Sequence, residues 1–331
     1  MMDTTHFPSP PARVLVLGGT GFVGRSFCER WLRRAGGTGR VRVPTRRLAH
    51  ARALQPLPTA EIVQADVHDP ASLQRLMAGC DAVVNLVAIL HGRPADFERT
   101  HVELPRRIAE ACRAAGIARL VHVSALGVPD GDPATAPSNY LRSKARGEAV
   151  LRESGLAATI LRPSVIFGAD DRFLNLFAQL QALAPFVPLA GADARFQPVW
   201  VEDVAAAIVA ALERPETAGR TYECVGPREY TLAELVRLAG RWAGHERAVL
   251  ALPEAAGRMQ AALMGLAPGE PLMTRDNLDS MKVPNVASGR HDALEALGIV
   301  PAALEAVAPG YLGPQPGCSR FGLFRARARQ R

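Results

Sequence analysis

Tyr140 and Lys144 stand four residues apart in Tyr-Leu-Arg-Ser-Lys, and Ser124 closes the upstream run Val-His-Val-Ser. On a helix, an i, i+4 spacing stacks both side chains on one face. An ammonium beside a phenol favours the phenolate and lowers the tyrosine pKa, as a tyrosine exchanging protons near neutral pH requires. Only Lys144 and Lys282 are lysines among the 39 basic residues, so a lysine kept here in an arginine-rich chain carries weight. With four tyrosines in 331 residues, either lysine has one four positions upstream by accident about 2% of the time. Ser124 ends a predicted strand, at the carboxyl edge where ligands bind in open α/β sheets. Its flanks lack the Gly-x-Ser-x-Gly elbow of a hydrolase nucleophile.

A second constellation lies near the start of the chain. Gly18-Gly19-Thr20-Gly21-Phe22-Val23-Gly24 directly follows the apolar run Arg13–Leu17. In such a turn Gly18 allows the tight bend, Gly21 lets backbone amides approach a pyrophosphate, and Gly24 permits close helix–strand packing. The helix opening near Phe22 turns its positive end toward the anion. A strand before and a helix after are the context that separates this fingerprint from a merely structural glycine turn. Dinucleotide sites selecting NAD(H) carry an acidic residue about 20 positions on. Here Thr45-Arg46-Arg47 follows the second strand, and no carboxylate lies between Arg30 and Glu61. Guanidinium groups suit a 2′-phosphate, so NADP(H) is expected over NAD(H); otherwise Arg46 and Arg47 are solvated surface charges. Asp66-Val67, after the third strand, is placed to meet the adenine edge. Leu86-Val87-Ala88, after the fourth, brings backbone close to the cofactor.

The elements that must hold these groups alternate. Arg13–Leu17, Val41–Val43, Glu61–Ala65, Ala82–Leu86, Leu120–Val123 and Ala158–Leu161 read as strands. Phe22–Ala35, Pro70–Ala78, Asp96–Ala115 and Asn139–Glu153 read as helices between them. Continuously apolar strands separated by helices predict an α/β fold, a doubly wound parallel (Rossmann) sheet. The second half is less regular, with helices at Val201–Leu212 and Thr231–Trp242 and short strands at Arg220–Cys224 and Ala248–Ala251. The spacing of Thr231 and Glu234 is that of a capping box. The expected division is a flexible N-terminus (1–11), an NADP(H)-binding Rossmann domain (12–170), a smaller loop-rich α+β substrate or partner region (171–316), parts of which return to the sheet, and a basic tail (317–331).

Composition excludes several classes. Apolar residues make up 48% and charged residues 21%, enough for a globular core and too much for wholesale disorder. Five scattered cysteines without a Cys-x-x-Cys pair argue for a reducing compartment and against a structural zinc. Eight histidines show no His-x-x-His or His-Glu-x-x-His pattern, so no metal site is expected, and His91, His101 and His122 read as structural. The net charge is +7, but residues 317–331 hold Arg320, Arg325, Arg327, Arg329 and Arg331 and no acid; without them it is 7 − 5 = +2. Nucleic acid is therefore not an expected partner. The tail interleaves Phe321, Leu323 and Phe324 with arginines, a composition suited to an anionic membrane surface or to a solubilising tail. No apolar run is long enough to span a bilayer.

Ser124, Tyr140, Lys144 and the glycine turn together resemble the short-chain dehydrogenase/reductase superfamily. Arg162-Pro163-Ser164-Val165-Ile166-Phe167-Gly168, Pro198–Val204 and Tyr222–Pro227 resemble its extended, epimerase/dehydratase-like branch. Phe167–Asn175 and Met273–Lys282 are similar to the nucleotide-binding accessory subunits of respiratory complex I and their bacterial relatives. The resemblance implies Tyr140 as general acid/base, Lys144 holding the nicotinamide ribose, Ser124 positioning substrate, and Pro163, Val165 and Phe167 lining the nicotinamide pocket. It also implies partners in the respiratory chain or quinone biosynthesis and a cytoplasmic location, peripheral to the inner face of a membrane. His101 stands where many extended members have Asn. Three readings follow: an NADP(H)-dependent oxidoreductase, a catalytically silent structural subunit stabilised by NADP(H), or a sugar-nucleotide epimerase/dehydratase. Residues 174–260 give no strong signal for the diphosphate pocket that the third needs. Arg46→Asp is expected to weaken NADPH binding far more than NADH binding in a direct titration; equal losses would refute the assignment of the arginines.

Overall fold

Val14 and Val16 face one side of the first strand, Leu15 and Leu17 the other, and all four are fully buried. That double burial is why the strand sequences are continuously apolar rather than alternating. In the computed structural model, which describes residues 11–34, 39–264 and 273–313, this strand sits within an eight-stranded sheet. Residues 1–10, most of the segment expected to be flexible, and the basic tail lie outside the described residues.

The strands are β1 (Arg13–Leu17), β2 (Arg40–Thr45), β3 (Ala60–Gln64), β4 (Ala82–Asn85), β5 (Arg119–Val123), β6 (Thr159–Pro163), β7 (Thr221–Cys224) and β8 (Asp292–Ala293). Their order is β8-β7-β6-β5-β4-β1-β2-β3, and every pairing is parallel. The fold is thus the doubly wound sheet expected, and β7 and β8 come from the second half of the chain. The helices are α1 (Phe22–Arg34), α2 (Pro70–Met77), α3 (Leu104–Ala114), α4 (Asn139–Glu153), α5 (Leu174–Leu183), α6 (Val201–Glu213), α7 (Leu232–Trp242), α8 (Glu254–Met264), α9 (Arg275–Ser280) and α10 (Leu304–Leu312). Phe27 and Trp31 of α1 join Val204 to Leu212 of α6 on one face of the sheet. Leu73 of α2, Ile108 of α3 and Leu151 of α4 cover the other.

The helix predicted over Asp96–Ala115 is interrupted. A turn of helix at Pro94–Glu98 runs into a π-helical segment, Arg99–Glu103, before α3 begins. Pro105 explains the break: it has no N–H to donate to the His101 carbonyl one turn earlier. Gly147 of α4 sits against that carbonyl so closely that a Cβ there would lie 2.0 Å from the oxygen. Proline and glycine together let α4, with Tyr140 and Lys144, lie against the interrupted helix.

A smaller lobe forms around Phe177, Val187, Leu189, Leu235 and Leu304. It contains α5, α7, α10 and a two-stranded parallel ribbon, Phe186–Ala190 with Ala248–Leu252. Thr231 and Glu234 form the expected capping box at α7, the hydroxyl accepting from Glu234 N (3.2 Å) and the carboxylate from Thr231 N (2.7 Å).

One buried ion pair joins α4 to the sheet. Arg162 of β6 (2% exposed) donates to both oxygens of Glu148 of α4 (0% exposed), at 2.9 and 2.7 Å, and to Asp130 at 2.7 Å. Removing Glu148 strips the buried Arg162 of its only fully buried carboxylate and leaves it the partly exposed Asp130 alone. Glu148→Ala is therefore expected to cost about 3–5 kcal/mol of unfolding free energy, measured by urea denaturation; a loss below about 1 kcal/mol, the scale of an exposed pair, would refute this.

Candidate functional site

β1 lies between β2 and β4, so the chain turns away from it in both directions and leaves a crevice at its carboxyl end. The glycine turn fills that position. Gly18 has φ +82°, a conformation that suits glycine, and a Cβ on it would lie 3.0 Å from the Leu86 carbonyl carbon. A Cβ on Gly24 would lie 2.5 Å from the Gly18 oxygen. Gly21 is different: it is exposed, donates to Gly18 O (3.0 Å), and a Cβ there would meet only that oxygen. Bare backbone therefore faces outward at the tip, between partly buried Thr20 and Phe22. The Phe22 ring packs on Gly168, and Val23 packs on the core.

Arg46 and Arg47 follow β2 and are exposed. Their backbone is fixed, since the Thr45 hydroxyl donates to Arg47 O (3.0 Å) and Gln64 donates to Arg46 O (3.3 Å). Neither guanidinium makes an ion pair among the described residues. Asp66 accepts from His68 N (3.0 Å) in the next loop, and Val67 packs on the adjoining core. Leu86 donates to Leu17 O (2.9 Å) beside the glycine turn, Asn85 accepts from Val87 N (3.2 Å), and Ala88 is exposed. All of these lie at one edge of the sheet.

Ser124 follows β5 at the same edge, 4% exposed, with an Oγ that has no partner among the described residues. A buried hydroxyl without a partner is an unsatisfied group in need of one. Lys144 is 2% exposed and its Nζ donates to the Val123 carbonyl (3.1 Å), one residue from Ser124. Burial pulls its pKa down to about 8, against the opposing pull of Glu148. The partly buried Tyr140 has no hydrogen bond from its hydroxyl among the described residues, and burial pushes its phenol above the ordinary range. The expected lowering of the tyrosine by Lys144 is thus absent: the ammonium is directed to a carbonyl, and desolvation decides the phenol. Pro163 ends β6, Val165 donates to Asn285 Oδ1 (3.0 Å), and Phe167 is fully buried in the core of the smaller lobe.

Groups that residue types alone did not single out hold these in place. Ile89 N donates to His101 Nε2 (3.1 Å), which leaves Nδ1 protonated to donate to Ser143 Oγ (2.8 Å). Ser143 in turn donates to the Tyr140 carbonyl (2.8 Å). The histidine is a strut between the loop after β4 and the helix of Tyr140, with both nitrogens in use. His122 Nδ1 accepts from the Asn85 amide (3.0 Å). The segment Met273–Lys282 crosses the same edge. Asp276 accepts from the first backbone amides of α4, Asn139 (2.7 Å) and Tyr140 (3.0 Å), and Ser280 donates to Ser138 (2.8 Å). Sequence similarity marked this stretch; only the fold shows that it caps the helix of Tyr140.

A Rossmann sheet with a glycine turn at its switch point defines a protein of the dinucleotide-binding fold. The sequence profile of the NAD dependent epimerase/dehydratase family matches residues 14–224, and the chain belongs to that family. It is 35% identical over 297 residues to mitochondrial NADH dehydrogenase (ubiquinone) 1 alpha subcomplex subunit 9 of Mus musculus, covering 88% of this chain and 77% of the relative. It is 34% identical over 245 residues to ceramide reductase of Caulobacter vibrioides, covering 73% and 74%. Among solved structures it is similar to the NADPH-dependent quinone oxidoreductase QOR2 of Escherichia coli complexed with NADPH, with a TM-score of 0.71, 20% identity and coverage of 90% and 99%. No helix among the described residues is long and apolar enough to cross a membrane.

The two histidines give the site a pH signature. Burial, with a smaller contribution from the charge of Lys144, pushes His101 down to about 2 and His122 to about 3. The unfolded chain binds those protons near pH 6.5 and the folded chain does not. Their contribution to stability is therefore complete above about pH 6.5 and is lost as pH falls toward 3, at about 1.4 kcal/mol per pH unit for each. His122→Gln is expected to flatten the acid limb of stability against pH by about that slope, measured by urea unfolding; an unchanged limb would refute the assignment.

Proposed function

We propose that the chain is an NADP(H)-dependent carbonyl reductase of the short-chain dehydrogenase/reductase type. One observation carries the reading: the orphaned Ser124 hydroxyl stands one residue from the carbonyl that the buried Lys144 ammonium binds, with Tyr140 one turn before Lys144 on α4, at the carboxyl edge that also bears the glycine turn. In this reading the amides of Gly18–Gly24 hold the pyrophosphate and Arg46 and Arg47 take the 2′-phosphate. Asp66, Val67 and the Leu86–Ala88 backbone border the adenosine half, and Lys144 and the Pro163–Phe167 segment border the nicotinamide half. A bound reduced nicotinamide supplies hydride.

The protein's own groups manage the oxygen. Ser124 Oγ–H donates to the substrate carbonyl, using the hydrogen bond that it lacks within the chain. Tyr140 gives that oxygen its phenolic proton, and burial, which keeps the phenol protonated at neutral pH, suits it to donate. Lys144, charged below about pH 8, holds the Val123 carbonyl beside Ser124 and borders the nicotinamide ribose in this reading. The names of the relatives support a quinone or a lipid ketone as substrate and proteins of the respiratory chain or quinone metabolism as partners. The five tail arginines support contact with an anionic membrane surface on its inner face. A second reading, a structural subunit, is favoured by the mouse relative being a subunit of a larger oxidoreductase. There the dinucleotide stabilises the fold by mass action, about 2.7 kcal/mol at 100 times its Kd.

Native mass spectrometry of the purified chain is expected to find NADP(H); recovery of NAD(H) alone would overturn the role of the arginines. Tyr140→Phe is expected to lower NADPH-dependent carbonyl reduction by about 100-fold or more while NADPH affinity stays within about twofold of the parent. Full retention of function in the variant would leave the structural reading.

A further inference from the structure

Arg46 and Arg47 are not the only cations at their end of the sheet edge. Thr45 pairs with Gln64 where β2 and β3 end, and Ala65 N donates to Thr45 O (3.0 Å). The two arginines therefore leave β2 beside Asp66-Val67-His68, the loop that leaves β3. The interrupted helix meets that loop as well. Arg107 of α3 donates to His68 O (2.7 Å) and to the Glu103 carboxylate (3.2 Å). Glu103 ends the π-helical segment that Arg99 opens, and Leu104 N donates to Arg99 O across it. Arg99 thus lies one turn from the carboxylate that anchors Arg107 to the His68 loop. π-Helical turns of this kind recur at functional sites.

His68 is where the two approaches meet. Its Nδ1 is buried and has no partner among the described residues. Burial holds the imidazole below its ordinary range. Among the charges that act on it Arg99 comes first, Arg107 and Arg46 act in the same direction, and only Asp66 opposes them. Asp66 itself accepts from His68 N (3.0 Å). β2 and β4 flank β1, the strand of the glycine turn. Arg46 follows β2 and Arg99 follows β4, yet both act on one imidazole. Arg46, Arg47 and Arg99 are exposed, and none makes an ion pair among the described residues. Asp96, the acid nearest Arg99 in sequence on its N-terminal side, accepts from Arg93 N (2.9 Å) and Arg93 Nε (3.4 Å). Cations gathered in this way repel one another, and an anion set among them offsets the repulsion.

We infer that Arg99 is a third guanidinium of the dinucleotide site, meeting the adenosine 2′-phosphate from the β4 side while Arg46 and Arg47 meet it from the β2 side, with His68 between them. Guanidinium forks suit phosphate oxygens bidentately, and forks arriving from two directions fix the group in place. Stacking on the adenine ring is the other use of an exposed guanidinium, but it gives no reason for three unpaired arginines to converge. This assignment rests on the NADP(H) reading and deepens it: selection of the phosphorylated coenzyme then depends on the segment after β4 as well as on the loop after β2.

Calorimetric titration of the full chain with 2′,5′-ADP and with 5′-AMP, which lacks the 2′-phosphate, tests it. Arg99→Gln is expected to weaken both 2′,5′-ADP and NADPH by about tenfold, the scale of one lost charge-assisted hydrogen bond. Affinities for 5′-AMP and NADH are expected to stay within about twofold of the parent, with the thermal midpoint unchanged, because the side chain is exposed. Arg99→Lys keeps the charge without the fork and is expected to fall between parent and Arg99→Gln. Equal losses for 2′,5′-ADP and 5′-AMP would put Arg99 on the ring and overturn the inference. A parent that binds NADPH and an Arg99→Gln variant that binds it as tightly would overturn the inference alone. A parent that binds neither coenzyme would remove the dinucleotide reading and this inference with it.

Discussion

A parallel sheet covered on both faces has almost nowhere to put a polar group except the ends of its strands. Alternate residues of β1 go to opposite cores, and β4 and β5 are similarly enclosed. Ser124, the Asn85–Ala88 loop, the glycine turn and Arg46 are consequently gathered at a single edge, from four separate stretches of chain. A crevice at the switch point beside β1 follows from strand order alone. What this sequence adds is glycine where a side chain would collide, at Gly18 and Gly24, and bare backbone at Gly21.

The polar groups at that edge are held in defined protonation states by burial rather than by pairing. His101 and His122 are neutral because a charge there would be desolvated and would face Lys144. Lys144 stays near its titration point, with Glu148 opposing its burial. The neutral His101, accepting on one nitrogen and donating on the other, makes a directional chain from Ile89 to the Tyr140 carbonyl. A charged ring would donate from both nitrogens and lose the bond from Ile89. An asparagine at this place would present a shorter amide, so the histidine changes the strut's reach.

The supports come from far along the chain. Asp276 caps α4 from 137 residues away, and Asn285 joins Val165 to Leu126, accepting from the first and donating to the second. Such contacts bind the smaller lobe to the sheet edge, as does the Tyr311 hydroxyl donating to Asp171 (2.9 Å). The position of the tyrosine is therefore a property of both halves of the molecule.

The sequence by itself determined the parallel sheet, the glycine turn and the i, i+4 placement of Tyr140 and Lys144, because each is a local pattern read by a local rule of sterics or periodicity. It also marked Arg46 and Arg47, by the lack of any carboxylate near them. Pro105 breaks the predicted 96–115 helix, but tertiary structure alone decided what meets the carbonyl that the proline leaves free, namely Gly147 of α4. It decided that Phe167 turns into the smaller lobe, that Met273–Lys282 caps α4, and that Lys144 reaches Val123 rather than the phenol. These are contacts between residues distant in the chain, and burial, which sets the pKa of each buried group, is a sum over all such neighbours.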